Sequence, residues 1–174
     1  MLNDHFKITP DLYASKEKRF ANFIIDRVVF YAVFFGLSSF LAIVYILLGG
    51  DQYALDEFAN GLENISPLMD SLVTLIFLII FYFAFETISK GKTIGKFVTK
   101  TKVIMEDGSE PKISDYLLRS LCRLIPFDSI SFLGSEGRGW HDSVSDTYVI
   151  DLKKYEAKKT AQLNLEELGK PIQE

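Results

Sequence analysis

Residues 24–48 read IIDRVVFYAVFFGLSSFLAIVYILL, and from Val28 to Leu48 there are 21 consecutive residues without a formal charge. As a helix rising about 1.5 Å per residue, that run is roughly 30 Å long, the thickness of a bilayer's hydrocarbon core. It is apolar all round rather than along one stripe, which suits a helix in lipid better than one in a soluble core. Gly36, Ser38 and Ser39 place small residues mid-helix, where a second helix can approach closely. A cleaved leader has an apolar region of about 7–15 residues behind a short start. Here 27 residues of mixed charge come first.

A second span is expected at 67–89, centred on SLVTLIFLIIFYFAF, with Asp70 and Glu86 near its two ends and Pro67 in its first turn. The charges outside the two spans orient them. Lys7, Lys16, Lys18, Arg19 and Arg27 lie at the N-terminal end of the first span. Lys90, Lys92, Lys96, Lys100, Lys102 and Lys112 follow the second. The stretch 49–70 between them has no Lys or Arg and carries Asp51, Asp56, Glu57, Glu63 and Asp70. Positive charge stays inside, so the N-terminus and the segment after the second span are expected in the cytoplasm and the acidic loop outside.

The third segment, 114–133, is interrupted by Asp115, Arg119, Arg123 and Asp128. The first three are spaced i, i+4, i+8 on one helical stripe, with Tyr116, Leu117, Leu121, Leu124 and Ile125 elsewhere. That pattern predicts an amphipathic interfacial or re-entrant helix, broken by Pro126, in preference to a third full span. A full crossing would put Arg138, Lys153, Lys154, Lys158, Lys159 and Lys170 outside, against the charge bias.

β-branched residues predict a strand over 97–105, closed by an Asp107-Gly108 hairpin-type turn, and a second over 147–152. The two are expected to pair as a small cytoplasmic β-ribbon. A two-stranded ribbon is marginal alone, so it needs something to pack on. The expected fold class is an all-α membrane protein with two transmembrane helices, the third amphipathic helix, this ribbon and a charged C-terminal tail. The divisions are a cytoplasmic N-terminal segment 1–17, a membrane domain 18–152 and a tail 153–174. The tail reads as a solvated helix ending near Gly169-Lys170-Pro171, or as partly disordered.

The whole chain has 174 residues, 48% of them hydrophobic, a net charge of −4 and one cysteine, Cys122. This excludes a disulfide scaffold and an intrinsically disordered chain, and gives no reason to expect nucleic acid as a partner. Gly91, Gly95 and Lys96 superficially suggest a phosphate loop, but Phe97 stands where a Walker loop needs Ser or Thr. These residues are read instead as a membrane-exit turn, with glycines supplying unusual backbone angles and lysines meeting lipid phosphates. His141 has only His5 for company, so no zinc site is expected. Next to Asp142 it is expected to hydrogen-bond and lock the return of the second strand. Trp140 suits the membrane interface. No cofactor, metal or catalytic set is expected.

A carboxylate at membrane depth is costly unless it is paired or hydrated. Asp26 is therefore expected to face another helix, with Arg119 or Arg123 as its partner. Arg19 lies two turns earlier on nearly the same face, and Glu86 closes the second span. Arg19, Asp26, Glu86, Arg119, Arg123 and Asp128 make up the candidate polar cluster, an ion or proton site. For Arg19 and Arg27 the competing expectation is simple anchoring in the head-group layer.

The ordered set Arg19-Phe20-Ala21-x-x-Ile24-Ile25-Asp26, Lys92-Thr93-Ile94-Gly95-Lys96, Arg119, Arg123, Asp128, Trp140-His141-Asp142 and Thr147 resembles the RDD family of bacterial membrane proteins. The resemblance covers about Lys18 to Asp151. The family is named for an arginine and two aspartates; Arg19 and Asp26 match two of these, and the second aspartate falls at Asp128 or Asp142. Ser145-Asp146 stands where members commonly carry Ala-Gly, and the final hydrophobic section is short, which argues against a third full span here. The resemblance implies a multi-pass protein of the bacterial inner membrane, with Gly91, Thr93, Gly95, Lys96, Trp140, His141, Asp142 and Thr147 as structural motif positions. It also implies transport, with cation/proton exchange as the sharpest version.

Two functions follow as expectations. One is a component of ion or small-solute transport; two or three helices cannot enclose a path, so it would work as a homo-oligomer or in a larger membrane complex within the lipid bilayer. The other is a non-catalytic adaptor that recruits a partner through the ribbon and tail. An enzyme is not expected.

Overall fold

The computed structural model describes residues 7–125, 127–134 and 138–168. His5, Pro126 and Gly169-Lys170-Pro171 lie outside the described residues. Helix α1, Lys16–Leu47, is capped by the Ser15 side chain, which accepts from the Lys18 N–H. Helix α2, Gln52–Glu63, is capped by Asp51. Helix α3, Pro67–Ile88, begins with Pro67 behind the Ser66 cap. Then come α4, Ile94–Thr99; strand β1, Thr101–Met105; α5, Ile113–Cys122; a 3-10 segment, Asp128–Leu133; α6, Trp140–Val144; strand β2, Thr147–Asp151; and α7, Leu152–Leu168.

Among the described residues, α1 and α3 are the two helices long and apolar enough to cross a membrane. Very little of their apolar length is buried inside the chain. A soluble core helix hides such a surface, whereas these expose Val28, Phe35, Phe40, Leu41, Ile76 and Ile80. The two meet through Phe30, Leu78, Phe81 and Tyr82, with Phe30 edge-on to Phe81 at 5.5 Å between centroids.

Helix α1 starts eight residues before the expected span, because its first turns belong to a polar, folded end of the molecule. There β1 and β2 pair antiparallel from Thr101↔Asp151 to Met105↔Thr147. The expected ribbon forms, and it packs on the segment before α1: Tyr13 bridges to Ile150, and the Ala14 N–H donates to Val149 O at 2.9 Å. Ile8, Leu12, Ile104 and Ile150 fill one face of the ribbon, and Ala14, Val103 and Val149 the other.

Four expectations are corrected. Residues 97–99 are helical, not strand: Thr93 caps α4, and Lys100 ends it in a left-handed conformation (φ 56°) that turns the chain into β1. The Asp107-Gly108 turn closes no hairpin, since the partner of β1 is β2, some forty residues on. The acidic loop contains a helix, α2, none of whose residues is buried. The third helix ends at Cys122, shorter than the expected 114–133, and the chain continues as a turn and the 3-10 segment. Helix α7 is the expected tail helix.

Candidate functional site

The site is built from three polar stripes. On α1, Arg19, Asn22 and Asp26 are spaced i, i+3, i+7 and all are buried. On α3, Tyr82 and Glu86 are buried at i, i+4. On α5 and the turn that follows it, Arg119 and the C-cap Arg123 turn inward, while Leu117, Leu118, Leu121, Leu124 and Ile125 are exposed. An arginine-bearing stripe was expected as the polar side of an interfacial helix. It instead lines the protein interior, because two carboxylates from other elements, Glu86 and Asp142, receive it.

Arg119 is the hub. It is 0% exposed, its Nε donates to Glu86 Oε2 at 3.1 Å, and its Nη1 donates to Asp142 Oδ1 at 2.7 Å and to the Thr147 hydroxyl. Glu86 also accepts from Lys96 Nζ at 2.5 Å, and Arg123 Nη2 stands 3.9 Å away. The Arg123 guanidinium lies over the Tyr82 ring, 3.7 Å from its centroid. The second oxygen of Asp142 accepts from Arg19 and, at 2.9 Å, from the Gly139 N–H. Arg19 also packs its guanidinium over Phe132, 4.9 Å from the ring centre. It is therefore a buried partner and not a head-group anchor. Arg27, half-buried over Phe23, fits anchoring better.

Asp26 corrects a second expectation. It is buried, yet its direct partners are Thr93, whose hydroxyl donates to Oδ2 at 2.6 Å, and Gly95, whose N–H donates to Oδ1 at 2.7 Å. Arg119 is committed to Glu86 and Asp142, and Arg123 lies over Tyr82. One open N–H at the start of α4 and the Thr93 hydroxyl satisfy Asp26 instead. Lys96 and Arg123 act on it through space. Among the described residues Asp26 has no ion pair, unlike Glu86 and Asp142.

The exit turn is corrected in the same way. Gly91 has φ 87°, as a glycine-bearing turn requires. Gly95 serves close approach: a Cβ there would stand 2.6 Å from the Asn22 carbonyl oxygen and 3.0 Å from Asp26 Oδ1. Lys96 does not meet lipid; it is buried against Glu86.

Asp128 and His141 form the last pair, the imidazole Nδ1 and the backbone N–H of His141 each lying 2.8 Å from a carboxylate oxygen. This pins α6 to the 3-10 segment and sets up the return of β2, the expected structural role. Ser145 continues it, its hydroxyl donating to His141 O at 2.6 Å and lying 2.9 Å from Thr147 Oγ1. Burial pushes the His141 imidazole below its usual pKa, so it is neutral. Burial alone would raise the Asp142 carboxyl, but the Arg19 and Arg119 guanidiniums together hold it well below the usual range. Trp140 is 49% exposed and outside the cluster.

By formal charge the cluster balances. Arg19, Lys96, Arg119 and Arg123 supply four positive charges, and Asp26, Glu86, Asp128 and Asp142 four negative ones. Among the described residues no group of His, Cys, Asp and Glu could hold a metal ion. A cavity of about 30 Å³ lies in its midst, lined in part by Arg19, Asp26, Tyr82, Lys96, Arg119 and Arg123. Sequence reasoning missed Asn22 and Tyr82. The Asn22 amide, oriented to satisfy both its ends, donates to Lys18 O (3.2 Å) and Gly95 O (3.0 Å) and accepts from the Thr101 hydroxyl (3.0 Å). Its spacing from Arg19 and Asp26 was the available signal.

These features define a membrane protein whose two apolar helices carry, at one end, a folded polar cap closed around a buried charge cluster. Residues 13–146, more than half of the chain, match the RDD family model, and the chain belongs to that family. No curated protein and no solved structure matches it.

Proposed function

We propose that this protein is the ion-handling subunit of a transport assembly in the bacterial inner membrane, crossing it twice with both termini in the cytoplasm and acting without enzymatic chemistry. The observation that carries this reading is the cavity inside a fully buried cluster whose formal charges balance. Charges at membrane depth are expensive, and a chain that buries eight of them and lines a hollow with five has a use for the hollow. The Lys- and Arg-rich end holds the cluster, so the charge bias assigns it to the cytoplasmic side. Asp26 is the carboxylate we assign to a proton, since it lines the cavity and, among the described residues, no cation is bonded to it. Four cationic side chains line the cavity against that one carboxylate, which disfavours the cation half of cation/proton exchange. The apolar α1–α3 contact beyond the cluster offers no polar path, so transport requires further copies or a larger complex.

The test is proton flux in vesicles reconstituted with wild type and with Asp26→Asn, driven by gradients of candidate ions. Flux that the substitution abolishes supports the reading. A wild type silent under every gradient overturns it and leaves the adaptor alternative. That alternative predicts loss of a bound partner when residues 153–174 are deleted.

A further inference from the structure

The ion-pair network of the cluster does not use all of its donors. Among the described residues, Arg119 Nη2 and Arg123 Nε are buried without a hydrogen-bond partner. Both arginines line the cavity, Arg119 at 0% and Arg123 at 9% exposure. A buried guanidinium N–H left unmatched is costly, so two such donors on arginines that line one hollow call for an acceptor. Lys96 and Arg19 line the same cavity, so the charged groups of its wall are predominantly cationic. Among the described residues Asp26 is its one carboxylate, and its two oxygens are already taken by Thr93 and Gly95. The planar, forked donors of arginine match the oxygens of a tetrahedral oxyanion.

The surroundings of the cavity are apolar. Ser129 and Phe132 line it, and next to them in the chain Phe127, Ile130 and Leu133 are exposed. On α1, Phe23 lines it, and Phe20 and Ile24 beside it are exposed. An anion site framed by exposed apolar side chains, at the charged end of two membrane helices, sits where phosphate head groups lie.

We propose that this cavity is a phosphate-binding site in which Arg119 Nη2 and Arg123 Nε donate to an anionic phosphate oxygen, presented either by a lipid head group or by free inorganic phosphate. The inference deepens the transport reading by naming what the cavity holds, and rests on it only in taking the cavity as a binding centre.

The experiment uses the full chain in a phosphate-free maltoside detergent. Equilibrium binding and thermal unfolding are followed on titration with inorganic phosphate, with short-chain phosphatidic acid in the same micelles, and with sodium chloride at matched ionic strength. Saturable binding of inorganic phosphate with a raised midpoint identifies the free source; a response to phosphatidic acid alone identifies the lipid source. In either case Arg123→Gln should weaken binding about tenfold or more, the worth of one charge-assisted hydrogen bond. That variant leaves the Glu86–Arg119–Asp142 connection in place. Ser129→Phe, which fills the cavity without removing a charge, should abolish binding and covers the case in which Arg123→Gln does not fold.

The proposal is overturned if neither phosphate source binds, if chloride acts equally well, or if binding survives both substitutions. Phosphate binding without flux in vesicles would sink the transport reading alone. Flux without phosphate binding would sink this inference alone.

Discussion

At the scale of single residues, the four buried carboxylates solve the same problem in different ways. Glu86 takes two cations directly, with a third 3.9 Å away. Asp142 takes two guanidiniums and a backbone N–H. Asp26 takes a hydroxyl and an N–H, and Asp128 binds a neutral histidine. The last arrangement gives the fold a pH dependence of definite sign. His141 has its pKa lowered from 6.5 by burial, so the unfolded chain binds more protons than the folded one just below that value. Its contribution is complete above about pH 6.5 and is lost as pH falls through the lowered value. Asp142, lowered from 3.8, adds a second loss that begins only below that pH. The unfolding midpoint in detergent should therefore fall from pH 7.5 to pH 5, and His141→Gln should flatten that first decline. A wild-type midpoint that rises on acidification would contradict a buried neutral imidazole.

At the scale of elements, the informative case is α4. Phe97-Val98-Thr99 has strand composition, and by composition alone it continues into β1. It is helical because Thr93 caps it, Asp26 receives the Gly95 N–H of the first turn, and Gly95 lets the turn lie directly on α1. Local propensity is weak against three tertiary contacts, which is why this boundary could not be read from the sequence. The orientation of α5 was hidden for the same reason. Its stripe of Asp115, Arg119 and Arg123 was legible, but whether arginines face head groups or a protein interior depends on Glu86 and Asp142, at distant positions. The long apolar runs, the ribbon pairing and the membership of Arg19, Asp26, Glu86, Arg119, Arg123 and Asp128 in one buried polar end were legible. Each rests on periodicity or on the cost of charge in lipid. The docking of α4 makes its own prediction. Gly95→Ala places a methyl 2.6 Å from the Asn22 carbonyl oxygen, and backbone cannot yield as a flexible side chain would. We expect a loss of about 1–3 kcal/mol, the usual cost of overpacking, measured as a lower unfolding midpoint. Gly61→Ala, on the exposed α2 with nothing within 4 Å of the new methyl, should be neutral or slightly stabilising. Equal effects of the two would remove close approach as the reason for Gly95.

At the scale of the whole molecule, the pairings constrain topology more tightly than charge counting does. Asp26 near the start of α1 bonds to Thr93 and Gly95, just beyond the end of α3, so these two helix ends lie together. Strand β1 follows α4 directly, β2 pairs with β1, and Tyr13 bridges to β2 ahead of α1. Helix α7 leaves β2 and returns to the same region, where Lys158 Nζ lies 3.1 Å from an Asp11 oxygen. Helix α5, ten residues and about 15 Å long, is too short to carry the chain across a bilayer, and Arg119 holds it to Glu86 at that same end. The acidic α2 connects the opposite ends of α1 and α3. If those two helices cross the membrane, the described residues of 7–27 and 86–168 must share one face and α2 must occupy the other. Cysteines introduced singly at Gln52 and Gln162, after Cys122→Ala removes the buried native thiol, test this with an impermeant thiol reagent. Gln52→Cys should react in intact cells, and Gln162→Cys only after permeabilisation. Labelling of both from outside would require β1 and β2 to sit on opposite faces of the membrane, which their five-residue register does not allow.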